Sequence, residues 1–129
     1  MKLNKIIITI TICIVFFGCA TGSTIITGQV RPAIDPSEVR IYLDPPAQFE
    51  TIGIIEASSD VEFSRQSAQD RVINELRTRA AKIGANGILL SGTGTESSSA
   101  GGFFIDNYFY ATTTTTITAQ GRAIFVINE

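Results

Sequence analysis

The sequence predicts an α+β fold: a mixed sheet of about four strands with one helix packed on a face, in the order β-β-α-β-β. Three observations predict it. Residues 64–83 carry apolar side chains at helical spacing. Runs rich in β-branched residues lie on both sides of that stretch. The strand-helix-strand succession in the middle calls for a right-handed crossover between parallel strands. The last two strands follow one another directly and are expected to be antiparallel.

The elements follow in order. In residues 39–43, Val39, Ile41 and Leu43 alternate with polar positions, the pattern of a half-buried strand, and Asp44-Pro45-Pro46 stops it. Residues 51–58 form a second strand whose continuous apolar centre implies burial on both faces. The helix presents Ala68, Val72, Leu76, Ala80 and Ile83 as one apolar stripe. Ser64 is its N-cap, and Gly84 is its C′ residue, where glycine takes the left-handed conformation at least cost. Arg71, Glu75 and Arg79 are spaced as an i, i+4 ladder on its flank. A third strand is expected over 87–95 and a fourth over 112–127. In the fourth, Ile117, Ala119, Ala123, Phe125 and Ile127 share one face, and Gly121 marks a bulge. Between these two strands, the glycine- and serine-rich residues 92–102 read as a flexible strand end and hairpin loop. They lack both a helix opening and the GK[ST] element of a phosphate loop.

The amino terminus has the parts of an export signal: Lys2 and Lys5, then an apolar run over 6–17 too short to span a bilayer, then Gly18-Cys19. Gly-Cys after such a run resembles the bacterial lipobox, although Phe16 stands where that motif usually has Leu. The resemblance implies a signal peptide over 1–18 and acylation of Cys19, which becomes the new amino terminus. Ala20, in place of Asp, implies the outer membrane, with the chain facing the periplasm. Cleavage would remove two of ten basic residues and none of the twelve acidic ones, taking the net charge from −2 to −4. Cys13 would leave with the signal, so no thiol pair would remain for a disulfide. Residues 19–36, with scattered Gly, Pro, Ser and Thr, read as a lipidated tether. Ile25, Ile26 and Val30 allow part of it to pack as an extra edge segment. Residues 37–129 form the α+β domain.

Composition narrows the chemistry. With no His in the chain, Ser-His-Asp and Cys-His catalysis are excluded, and so is the commonest transition-metal ligand. The acidic balance argues against nucleic-acid binding. No metal site or cofactor is expected. Lys82, the one Lys beyond the signal, sits in the last helical turn, where it complements the helix dipole. Glu56, Asp60 and Glu62 are the carboxylates that a hydrolase reading would use as acid and base, and a charged loop before a helix is their plainer explanation. Arg65, Arg71, Arg77, Arg79 and Lys82 could form a patch for anionic lipid or a partner, but they spread around the helix and read rather as a solvated face. The most unusual stretch is 103–110, where Phe103, Phe104, Tyr108, Phe109 and Tyr110 crowd between two strands. An exposed aromatic tip would suit contact with a partner or a membrane interface, and a tip folded back would pack on its own sheet.

Two stretches resemble known proteins. Residues 28–42 (GQVRPAIDPSEVRIY) with 49–53 (FETIG) are similar to the start of small proteobacterial lipoproteins. Residues 80–90 (AAKIGANGILL) resemble the helix-to-strand junction of that group, and of the YbjQ-like domains and the Rcs envelope-stress lipoprotein. The resemblance implies a non-enzymatic outer-membrane lipoprotein acting through contacts with an envelope protein, or a stress-sensing relative of the Rcs lipoprotein. A carboxylate-based hydrolase is the third expectation. The mature chain departs from the Rcs domain in having no internal disulfide, and from the metal-binding label in having neither His nor free Cys.

Overall fold

The computed structural model describes residues 20–129. Cys19 and the expected signal peptide lie outside the described residues. The chain runs β1 (Thr21–Ile26), a 3-10 turn (Pro36–Glu38), β2 (Arg40–Tyr42), β3 (Gln48–Asp60), α1 (Arg65–Lys82), β4 (Gly87–Ile105) and β5 (Tyr108–Asn128). Among the described residues these strands make one five-stranded sheet in the order β1-β3-β5-β4-β2. β1, β3, β5 and β4 are mutually antiparallel neighbours, and β2 joins β4 in parallel.

This is the expected α+β class, with one helix packed on a mixed sheet. It carries one strand more than four, and that strand comes from the stretch read as tether. Thr21–Ile26 pairs with β3 from Ser58 to Gly53. The following segment is laced down by the amides of Thr27 and Gly28, which donate to Ile52 O, and by those of Arg31 and Ile34, which donate to Ile83 O and Ala81 O. Chain 21–34 is therefore folded, and its apolar residues mark the edge segment that composition allowed. The strands flanking the helix, β3 and β4, run parallel, but β5 lies between them.

The helix forms where its stripe demands. Ala68, Val72, Leu76 and Ala80 are fully buried, with Ala81 and Ile83 close behind. They meet Ile55 and Ala57 of β3 and Ile117, Ala119 and Ala123 of β5 in one core. Ser64 Oγ accepts from the Ser67 amide at 3.1 Å, as an N-cap should. At the other end the Gly84 amide donates to Ala81 O and the Ala85 amide to Ala80 O, with Gly84 at φ +78°. That pair of bonds is a Schellman motif.

Four details correct the sequence reading. β3 is buried on one face, not both: Ile55, Ala57 and Ser59 point inward, while Glu56 and Asp60 are exposed. The adjacent burial of Ile52 and Gly53 arises from a register shift between Thr51 and Gly53. Leu43 is 75% exposed, because β2 ends at Tyr42 and the face it was assigned to stops there. Ile127 is exposed because β5 slips register there, leaving it without a partner between Phe49–Val126 and Gln48–Asn128. The bulge assigned to Gly121 falls opposite it, at Ser91 of β4.

The ladder also divides. Arg79 pairs with Glu75 at 2.8 Å. Arg71 turns to the sheet instead, donating from Nε to Ser59 Oγ (2.9 Å), from Nη1 to Ser67 Oγ and from Nη2 to Asp60 O (2.8 Å). Ser59 is buried, so its hydroxyl depends on this partner. Arg71→Met is expected to cost about 2 kcal/mol by leaving that hydroxyl unpaired. Chemical denaturation measures the loss, and adding Ser59→Ala to that variant is expected to restore part of it. Equal loss in single and double variants would show that the hydroxyl contributes nothing.

Candidate functional site

β4 and β5 are far longer than the sheet they belong to. β3 accompanies β5 only as far as the Asp60–Thr116 pair and the bond from the Val61 amide to Thr115 O. β2 accompanies β4 only over Gly87–Leu89. From Ser97 and Thr115 outward the two strands continue to Ile105 and Tyr108 with no third strand beside them among the described residues. At about 3.3 Å per residue this two-stranded arm projects roughly 30 Å. The glycine- and serine-rich stretch read as a loop is thus mostly strand.

The reason lies in the turn. Asp106 and Asn107 both adopt positive φ, at 47° and 72°. Two such residues make a type I′ turn, whose twist matches that of the strands it joins. A two-residue turn fixes the register, so Ile105 faces Tyr108, Phe104 faces Phe109 and Phe103 faces Tyr110. Asp and Asn are residue types that tolerate this conformation. That pair was a signal of the hairpin turn that the sequence reading passed over in favour of the aromatic cluster around it.

The tip is exposed. Phe104 is 73% and Tyr108 72% accessible, and Ile105, Phe109 and Tyr110 are each more than half accessible. The Phe103 backbone is in β4, and its side chain lies outside the described residues. Phe104 and Phe109 form a tilted cross-strand pair with centroids 5.1 Å apart. A Cβ on Gly102 would fall 2.4 Å from the Phe109 ring, so the ring lies over the glycine. The expected contact residues Phe104, Tyr108, Phe109 and Tyr110 are therefore gathered at one end of a projecting arm, away from the core.

The candidates for chemistry are not gathered. Glu56 and Asp60 occupy one face of β3 four residues apart, roughly 13 Å along the strand. That exceeds the spacing at which two carboxyl groups share one reacting bond. Asp60 Oδ1 already accepts from Thr116 Oγ1 at 2.6 Å. Among the described residues no cluster of three or more His, Cys, Asp or Glu stands close enough to hold a metal ion. A polar cleft of about 490 Å³ lies at the opposite end of the sheet, lined by Glu38, Arg40, Tyr42, Asn86 and Glu129. There Arg40 pairs with Glu129, and the Tyr42 hydroxyl donates to Glu129 Oε1 at 3.1 Å. Desolvation and that carboxylate raise the Tyr42 phenol above its usual value, away from neutral pH. Asn86 clamps the end of β5, donating to Val126 O (3.1 Å) and accepting from its amide (2.7 Å). This cleft escaped the sequence reading because its polar groups come from three separated stretches of chain.

Comparison with known proteins adds the fold alone. No protein-family profile matches the chain, and no curated protein matches it. In structure it is similar to a Francisella virulence factor, FvfA, at 21% identity and a TM-score of 0.51. The match covers 81% of this chain and 97% of the other.

Proposed function

We propose that this chain is a non-enzymatic lipoprotein of the bacterial envelope, anchored in the outer membrane through acylated Cys19 and acting through protein contacts made by its arm. The observation that carries the reading is the arm itself. A ribbon with two unpaired strand edges is a template for main-chain pairing, and soluble proteins ordinarily cover or shorten such edges. Among the described residues, no strand of the sheet runs beside the outer edge of β4 beyond Leu89, or beside β3's side of β5 beyond Thr115. The Gly18-Cys19 junction after a short apolar run supports the anchor. The wide separation of Glu56 and Asp60 weighs against the hydrolase reading.

The test is a photo-crosslinking residue at Ser98, midway along the arm, in intact cells. A discrete protein adduct is expected there, and none from the same residue placed at Lys82 in the last turn of α1. Absence of any adduct from the arm, with the protein present at normal levels, would remove the contact reading.

A further inference from the structure

The register places the arm and the amino terminus of the fold together. Thr21 opens β1 opposite Ser58, which lies opposite Thr118, which in turn lies opposite Gly94. The arm leaves the sheet only a few residues farther along the same end. Only Ala20 separates Cys19 from β1 in the sequence, and the described chain begins beside the root of the arm. A lipid at Cys19 would hold this end of the sheet against the bilayer, and an arm of some 30 Å from the same end must then meet that surface.

The arm has the chemistry for the meeting. Phe104 and Phe109 lie on one face of the tip, and Ile105, Tyr108 and Tyr110 occupy the alternate positions on the other. A flat protein surface covers one face of a ribbon, whereas the layer between lipid headgroups and acyl chains surrounds it. Aromatic side chains favour that layer. The shaft, rich in Ser and Thr and flanked by no third strand among the described residues, cannot cross hydrocarbon, because polar groups along it would find no partners there. Asp106 at the apex likewise holds the tip to the headgroup level. No Lys or Arg lies between Lys82 and Arg122, so the attraction is apolar and not electrostatic.

We propose that the aromatic tip is a second membrane contact, seated in the headgroup layer of the bilayer that holds the lipid at Cys19, with the arm lying along its surface. This rests on the anchor reading and leaves the shaft edges to protein partners.

The chain contains no Trp, so Tyr108→Trp supplies a single emitter at the tip, and Tyr42→Trp supplies one at the far end of the sheet. Each full-length protein is reconstituted from membranes into phosphatidylethanolamine and phosphatidylcholine vesicles with brominated acyl chains. Emission of the Tyr108→Trp protein is expected to fall about twofold relative to unbrominated vesicles, while that of Tyr42→Trp stays unchanged. Adding Phe104→Ser and Phe109→Ser is expected to abolish the quenching, with the thermal unfolding midpoint preserved. Replacing part of the lipid by phosphatidylglycerol is expected to add nothing. Full emission from a Tyr108→Trp protein that floats with the vesicles overturns the proposal. The anchor is read separately, by mass spectrometry of the amino-terminal peptide. If Cys19 carries no lipid, quenching of the unacylated protein at excess vesicles still supports the tip contact, and its absence overturns it.

Discussion

Gly84→Val is expected to destabilise the fold by about 3 kcal/mol or more, lowering the thermal midpoint by roughly 10–20 °C. Two effects add. Gly84 sits at φ +78°, a conformation that a β-branched residue adopts only under strain. A Cβ there would also fall 2.5–2.6 Å from Arg31 Cβ, C and O. Arg31 has little freedom to retreat. Its amide donates to Ile83 O, its guanidinium pairs with Glu50 at 2.7 Å, and its Cζ stacks 3.9 Å from the Phe125 centroid. The substitution thus strains the Schellman turn and loosens the strap that follows β1. Gly92→Val is the control, since nothing lies within 4 Å of a Cβ at that position. Its midpoint is expected to move little. Equal midpoints for the two variants would show that the Arg31 contact and the left-handed turn carry no weight.

The same turn shows why some of the architecture was legible in the sequence. The helix was fixed by its own residues: a Ser that accepts an amide, a stripe at three- and four-residue spacing, and a glycine where the backbone turns left-handed. Such signals act over one or two turns and need no distant partner. The faces of β3 were harder to read. Ile54 and Ile55 are adjacent and equally apolar, yet Ile55 meets the helix and Ile54 pairs opposite Arg122 on the other face. Only the pairing of β3 with β5 distinguishes them. Likewise, composition made residues 21–34 resemble a tether, because Gly, Pro and Thr carry little periodicity. Their place is set by carbonyls of β3 and of the helix end, far away in sequence. The arm failed to show for a related reason. None of the described side chains of its shaft is buried, so no apolar alternation announces it. The aromatic cluster marked the tip, but the Asp106-Asn107 turn is what turns a suspected loop into two paired strands.

Cys19→Ser is expected to abolish fatty-acid incorporation and leave the chain as a precursor that retains residues 1–18. The argument is chemical at the first step and energetic at the second. A thiol is the better nucleophile for the transfer, and the serine hydroxyl that replaces it lacks a thiolate form. Without acyl chains the protein loses about 0.8 kcal/mol for every methylene that would have been buried. The apolar run over 6–17 is too short to replace them as a span. Because the fold begins at Thr21, a lipid at Cys19 would leave the chain almost no slack and would decide where the whole domain stands. The tip contact by itself is weaker, so fractionation of the variant is expected to show at most a small membrane-bound share that salt does not remove. Metabolic labelling with a radioactive fatty acid, read beside the size of the product, decides the matter. Label in the Cys19→Ser protein would place the attachment elsewhere, and processing to the mature size without label would show a cleavable signal that does not depend on Cys19; either outcome overturns the anchor at Cys19.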